Sequence, residues 1–101
     1  MLKDIAKLNE RLWLAVKDDD CEKIKLTIEQ GADVNVTDGE GYNALQLAII
    51  NHKSYETIAF LIKAGADFFQ QDNKLDKNAL ALAEEHPDTR VKAFIVSIGD
   101  G

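Results

Sequence analysis

The sequence of 101 residues holds one cysteine, one proline and one tryptophan. A single cysteine excludes an internal disulfide and any zinc site built on several thiolates. Long apolar runs are missing too. The longest uninterrupted ones hold five residues, at 12–16, 58–62 and 79–83; Ala44-Leu45 and Leu47-Ala48-Ile49-Ile50, either side of Gln46, are shorter. They fall far short of the roughly 20 residues that span a bilayer. Met1-Leu2-Lys3-Asp4 opens no apolar stretch of the kind a secretory leader carries, so a cytoplasmic setting is expected. Basic residues are scarce: 12 against 18 acidic ones, a net charge of −6. Nucleic-acid binding wants a basic stripe, which argues against that class. The same balance suits a basic protein partner drawn in by long-range charge. Apolar types make up 46% and charged types 30%, a composition that folds as one domain at this length.

What is present is repetition. Leu12-Trp13-Leu14-Ala15, Leu45-Gln46-Leu47-Ala48 and Leu80-Ala81-Leu82-Ala83 all read Leu-x-Leu-Ala, starting 33 and then 35 residues apart. Gly31-Ala32-Asp33 returns as Gly65-Ala66-Asp67, 34 residues on, and Gly99-Asp100-Gly101 looks like a truncated third copy. Two independent markers at one period signal a solenoid. The units run over about 1–33, 34–67 and 68–101.

Each unit reads as two short helices and a turn. Ala44, Leu45, Ala48 and Ile49 mark a first helix, with Asn43 as its N-cap; Asn78 repeats that arrangement before Ala79. Ser54 caps a second helix whose buried stripe is Ile58, Leu61 and Ile62. Gly65 then sits where a left-handed C-cap is expected. Cys21, Ile24 and Ile28 form the matching stripe in the first unit, and Val91, Phe94, Ile95 and Ile98 in the third. Asp38-Gly39 marks a turn between units. Helices of about ten residues are marginal alone, so stability must come from stacking. Ala44, Ala48, Ala79 and Ala83 are small where consecutive first helices approach.

These residues resemble ankyrin repeats. Asp38, Gly41, Asn43, Ala44, Leu45, Gln46 and Ala48 follow the first half of that motif, with Asn43 for its Thr, Ala44 for its Pro and Gln46 for its His. Leu61-Ile62-Lys63-Ala64-Gly65-Ala66-Asp67 and Gly31-Ala32-Asp33-Val34-Asn35 follow its end. The resemblance covers the chain from about Asn9 to Gly99. It implies an all-α solenoid of about three helix-turn-helix units joined by short β-turn hairpins. The missing Pro and His imply modest stability. One extra residue within 72–79 implies a distorted second hairpin, and Phe68-Phe69 replaces a Val-Asn pair. Before the first unit stands no hairpin; Ile5 and Leu8 among Lys3, Asp4, Lys7, Asn9 and Glu10 read as a polar N-terminal cap.

Candidate chemistry is thin. Asp18-Asp19-Asp20 with Glu22 lacks the alternating ligands and turn glycine of a calcium loop, and reads as a solvated cap. Cys21 begins an apolar stripe and is expected to be buried, not nucleophilic. His52 and His86 fall in equivalent loops, where neighbouring rings could sense pH or hold a metal weakly, yet no third ligand accompanies them; surface placement is expected. Glu84, Glu85 and Asp88 do not face one another as paired acids would. Trp13, at the place of Gln46, either packs between helices or lies on the rim; packing is favoured. No cofactor, no metal and no enzymatic activity are expected.

The resemblance implies a partner protein bound on the concave face, at hairpin tips and the open side of each first helix. That mapping selects Lys17, Asp18, Glu40, Tyr42, Ile50, Asn51, Lys77, Glu84 and Glu85, together with Gly39, Lys74, Asp76 and His86. Tyr42 and Ile50 would form the centre, and Asp18, Glu40, Glu84 and Glu85 would steer a basic partner. The chain is expected to be a monomer or a weak homo-oligomer; an alternative role is structural, by self-association through Phe94, Ile95 and Ile98 near the C-terminus.

Overall fold

The computed structural model describes residues 5–68, 75 and 77–99. Six helices follow in order: α1 (Ile5–Lys17), α2 (Cys21–Glu29), α3 (Ala44–Ile50), α4 (Tyr55–Lys63), α5 (Ala79–Ala83) and α6 (Thr89–Gly99). No strand occurs among the described residues. Helices pair within units as α1–α2, α3–α4 and α5–α6. Between units, α1 packs on α3 and α3 on α5, while α2 packs on α4 and α4 on α6. Two layers result, one of first helices and one of second helices.

The alanine seam explains how the first layer closes. Ala15, Ala44, Ala48, Ala79 and Ala83 are all buried, so neighbouring backbones meet with little side chain between them. Leu12, Leu45, Ile24, Ile58, Leu61 and Ile95 fill the space between layers. Each such side chain adds roughly 1.5–3 kcal/mol by leaving water. Leu80, the third member of the Leu12–Leu45 column, is half-buried against the same core. Phe94 and Ile98 also pack against that core, so the C-terminal apolar cluster faces inward.

Caps end the helices where the sequence puts them. Asp20 accepts from the Lys23 amide at 3.1 Å and Ser54 from the Thr57 amide at 3.3 Å. Asn43 and Gln46 form a reciprocal box, each side-chain oxygen accepting the other's amide at 2.9 Å. Gln46 therefore does local work in place of the family's His. Gly31 and Gly65 take φ of +115° and +101°. Ala32 and Ala66 then donate back to Thr27 and Leu61, each at 3.1 Å, in a Schellman turn. The same turn closes α1 and α3, but there Asp19 and His52 hold the left-handed place, both at +53°.

Between units, Asp38 organises the turn. Its carboxylate accepts from Glu40 and Tyr42 amides, and its own amide donates to the Tyr42 carbonyl at 2.9 Å. The expected polar cap at the N-terminal end is only partly polar. Asn9 is buried and accepts from the Asp33 amide, whereas Ile5 and Leu14 are exposed. The distorted second hairpin falls mostly outside the described residues, as do Phe69, Lys74, Asp76, Asp100 and Gly101.

Candidate functional site

On the first-helix layer, α1 and α3 leave a cleft of about 540 Å³ between them. Glu10, Trp13, Leu14 and Lys17 recur at helical spacing along one side of α1, and Leu47 and Asn51 stand four apart on the other wall. The walls are apolar at Trp13, Leu14, Val16 and Leu47; the rim carries one acid, one base and one amide. Leu14 is 57% exposed, the highest value of any large apolar side chain among the described residues. Asn51 donates from Nδ2 to the Leu47 carbonyl at 2.8 Å, which holds the far end of the wall. Trp13 is half-buried, and its Nε1 is a shielded donor with no hydrogen-bond acceptor among the described residues. Such an unmet donor costs roughly 1–3 kcal/mol.

The structure brings Lys17 and Asn51 together here, on opposite walls of the cleft. Asp18 is exposed just past the end of α1, and Glu40 is exposed at the turn tip. Ile50 is half-buried and packs against the core. Glu84 and Glu85 are exposed but engaged, with Lys92 at 3.7 Å and Lys77 at 3.8 Å. Tyr42 needs correction: it is only 7% exposed and offers no surface aromatic. It stands immediately before the Asn43 cap, where an apolar side chain packs back over the first helical turn. The open apolar surface on this side comes instead from Trp13 and Leu14. Their signal was the match of Trp13 to Gln46 in the Leu-x-Leu-Ala column: a large aromatic where the next unit keeps a capping amide.

Of the two histidines, only His86 departs from the surface placement expected. His52 is exposed, but His86 is 8% exposed and belongs to the fold. The Asp88 amide donates to Nδ1 at 3.0 Å, and Nε2 donates to the Lys53 carbonyl at 2.8 Å. The two rings stand edge to face at 5.5 Å, so the loops do meet. No group of three metal-ligating side chains gathers among the described residues.

The acidic loop is committed to structure. Asp19 accepts from Thr57 Oγ1 at 2.6 Å, from Ser54 Oγ at 3.0 Å and from the Ser54 amide. Partial burial pushes its carboxyl up, but these hydrogen bonds and the Lys53 charge together outweigh it, and the carboxyl ends below its ordinary 3.8. Cys21 is half-buried, not buried. Burial, and then the charges of Asp19, Asp20, Glu22 and Glu56, push its thiol up, the reverse of a nucleophile's setting. Asp88, chelated by Arg90, is held down at about 2.

No helix among the described residues is long and apolar enough to cross a membrane. The chain is similar to the ankyrin repeat protein FPV031 of Fowlpox virus (strain NVSL), at 32% identity over 71% of this chain and 21% of that protein. It is also similar to the ankyrin repeat protein YahD of Escherichia coli (strain K12), at 37% identity over 59% of this chain and 29% of that protein. It thus spans less than a third of the length of either relative. Residues 12–96 match the family described as ankyrin repeats in three copies, a kind of repeat that generally serves as a protein–protein interaction module. Two layers of paired helices, glycine-ended second helices and that match over most of the sequence agree: the chain belongs to the ankyrin-repeat family.

Proposed function

We propose that this chain acts without bond-making chemistry, by holding a partner protein on its first-helix face, with the Trp13–Leu14–Leu47 cleft as the anchor point. The observation that carries the reading is the cleft itself: an aromatic and an aliphatic side chain left open beside a mixed polar rim. Binding sites of this kind concentrate their energy in one apolar anchor surrounded by polar contacts. The partner supplies an apolar side chain to the cleft. A carbonyl that met Trp13 Nε1 as the ring turned outward would relieve the unmet donor. Acidic Glu10, Asp18 and Glu40 and the net charge of −6 favour a partner with basic residues around its anchor. An inhibitor, adaptor or immunity-type role suits such a module.

Affinity capture from the host, repeated with Trp13→Ala and Leu14→Ser, tests this. Capture should fall at least about tenfold in each variant, and association with the captured partner should slow as salt rises. Because Trp13 is the sole tryptophan, its emission reports occupancy of the cleft directly. Undiminished capture by Trp13→Ala removes the cleft from the function.

A further inference from the structure

The three units place equivalent side chains in columns, and the columns show which surfaces are built to be covered. Leu26, Phe60 and Phe94 stand 34 residues apart on the second helices. Phe60 and Phe94 pack against the core, and Phe94 meets Tyr55 of the preceding unit at 5.8 Å, ring edge to face. This column therefore faces the preceding unit. Leu14, Leu47 and Leu82 form a parallel column on the first helices; Leu47 is half-buried and Leu82 buried. In the first unit both columns end in open leucines, Leu14 at 57% and Leu26 at 56% exposure.

The opposite end is different. Ile24 and Ile58 are buried, but the third unit places exposed Lys92 in their column. Lys92 thus puts a charge on the outer face of the third unit, whereas the outer face of the first unit is apolar.

Leu14 and Leu26 line a shallow cleft of about 330 Å³ with Arg11 and Lys23 at its edge. Neither cation's side chain has an ion pair or hydrogen bond among the described residues, on a protein that is otherwise strongly acidic. Where the same columns are covered, what covers them is a helix running alongside: α2 over α4, α4 over α6. We infer that the outer face of the first unit, centred on Leu26, is a second docking surface, and that its occupant is an amphipathic helix of a partner protein with acidic flanks. The leucine column selects a helix with apolar side chains on one face. Arg11 and Lys23 select Asp or Glu beside that face, and they repel the basic partner suited to the Trp13 cleft. The two surfaces share Leu14 as a wall but not Leu26.

The test uses the whole chain and a synthetic amphipathic helix of about 18 residues, long enough to hold its helix. It carries Leu along one face and Glu on both flanks; a twin carries Lys in place of each Glu. Binding is followed by fluorescence anisotropy and by amide shifts. The Glu peptide should bind with shifts centred on α1 and α2. Leu26→Glu should weaken it at least about tenfold, and Lys23→Glu should weaken it while strengthening the twin. Both substitutions are at exposed positions, so the fold stays intact. Trp13→Ala should leave this binding standing, which separates its fate from that of the anchor cleft. The inference is overturned if the Glu peptide does not bind, if Leu26→Glu makes no difference, or if the Lys twin binds as well. It is equally overturned if the chain self-associates and Leu26→Glu abolishes that, since the face would then belong to a second copy.

Discussion

The two joints of the stack are built at the same place in the repeat from opposite kinds of chemistry. Between the first and second units, an exposed carboxylate reaches across: Asp19 accepts from Ser54 and Thr57 at the start of α4. Within the second unit, its start is tied to its end: Asn35 donates to the Gly65 carbonyl at 3.1 Å and accepts from the Asp67 amide at 2.7 Å. Between the second and third units, a buried imidazole does the reaching. The Asp88 amide donates to His86 Nδ1, so that nitrogen carries no proton, and Nε2–H points at the Lys53 carbonyl. Aromatic packing of Tyr55 on Phe94, with Arg90 4.6 Å above the Tyr55 ring, completes it. The first joint, the wet one, is solvent-exposed and turns on a carboxylate; the second, the dry one, turns on a buried ring and aromatic packing, with the Arg90 charge at its outer edge. In a stack whose units touch only their neighbours, each joint can fail separately.

The largest effect should come from the unit that both joints share. Leu45 is fully buried in the middle of the stack, and Leu45→Ala should cost about 2–5 kcal/mol, seen as a fall in the urea midpoint by circular dichroism. Both joints lose their common support, so Trp13 emission and helical signal should collapse together. Next comes His86→Ala, at about 2–3 kcal/mol, because it strands the Lys53 carbonyl and the Asp88 amide at a buried point. Here the two probes should part: helical signal from the third unit falls first, while Trp13, two units away, holds. Coincident transitions would show that the joints do not fail separately.

Much of this was legible in the sequence because its causes are local. The period, the caps at Asp20, Asn43 and Ser54, the glycine turns and the alanine seam each depend on a few neighbouring residues. What stayed hidden depends on partners far along the chain. His86 is buried by a carbonyl 33 residues away, which no loop composition announces. Leu14 and Leu47 sit in identical Leu-x-Leu-Ala settings, yet one is open and one packed, because among the described residues only Leu47 has a neighbouring unit on that side. Tyr42 was misplaced for another reason: mapping by family position ignores the inward turn that Asp38 and the Asn43 cap impose on the residue between them.

Asp19→Asn sharpens the comparison at the wet joint. It keeps the size of the side chain but removes the charge that three donors address, and should cost about 1–2 kcal/mol at neutral pH. The folded carboxyl lies below its ordinary 3.8. Its contribution is therefore fully present above the unfolded value and is lost as pH falls through the folded one. Wild type and Asp19→Asn should differ at pH 7 and converge below about 3.8, the unfolded value. A gap that persists unchanged into acid would show that the joint does not use the charge. Smallest is His52→Gly. His52 holds a left-handed backbone at +53°, in the place where the second helices use Gly31 and Gly65. Glycine removes a Cβ strain of about 1–2 kcal/mol but loosens the unfolded chain and deletes the ring against His86. These terms nearly cancel, leaving a gain of about 0.5 kcal/mol. A loss of stability instead would mean that the exposed ring braces the dry joint, and that the joint extends to the surface through His52.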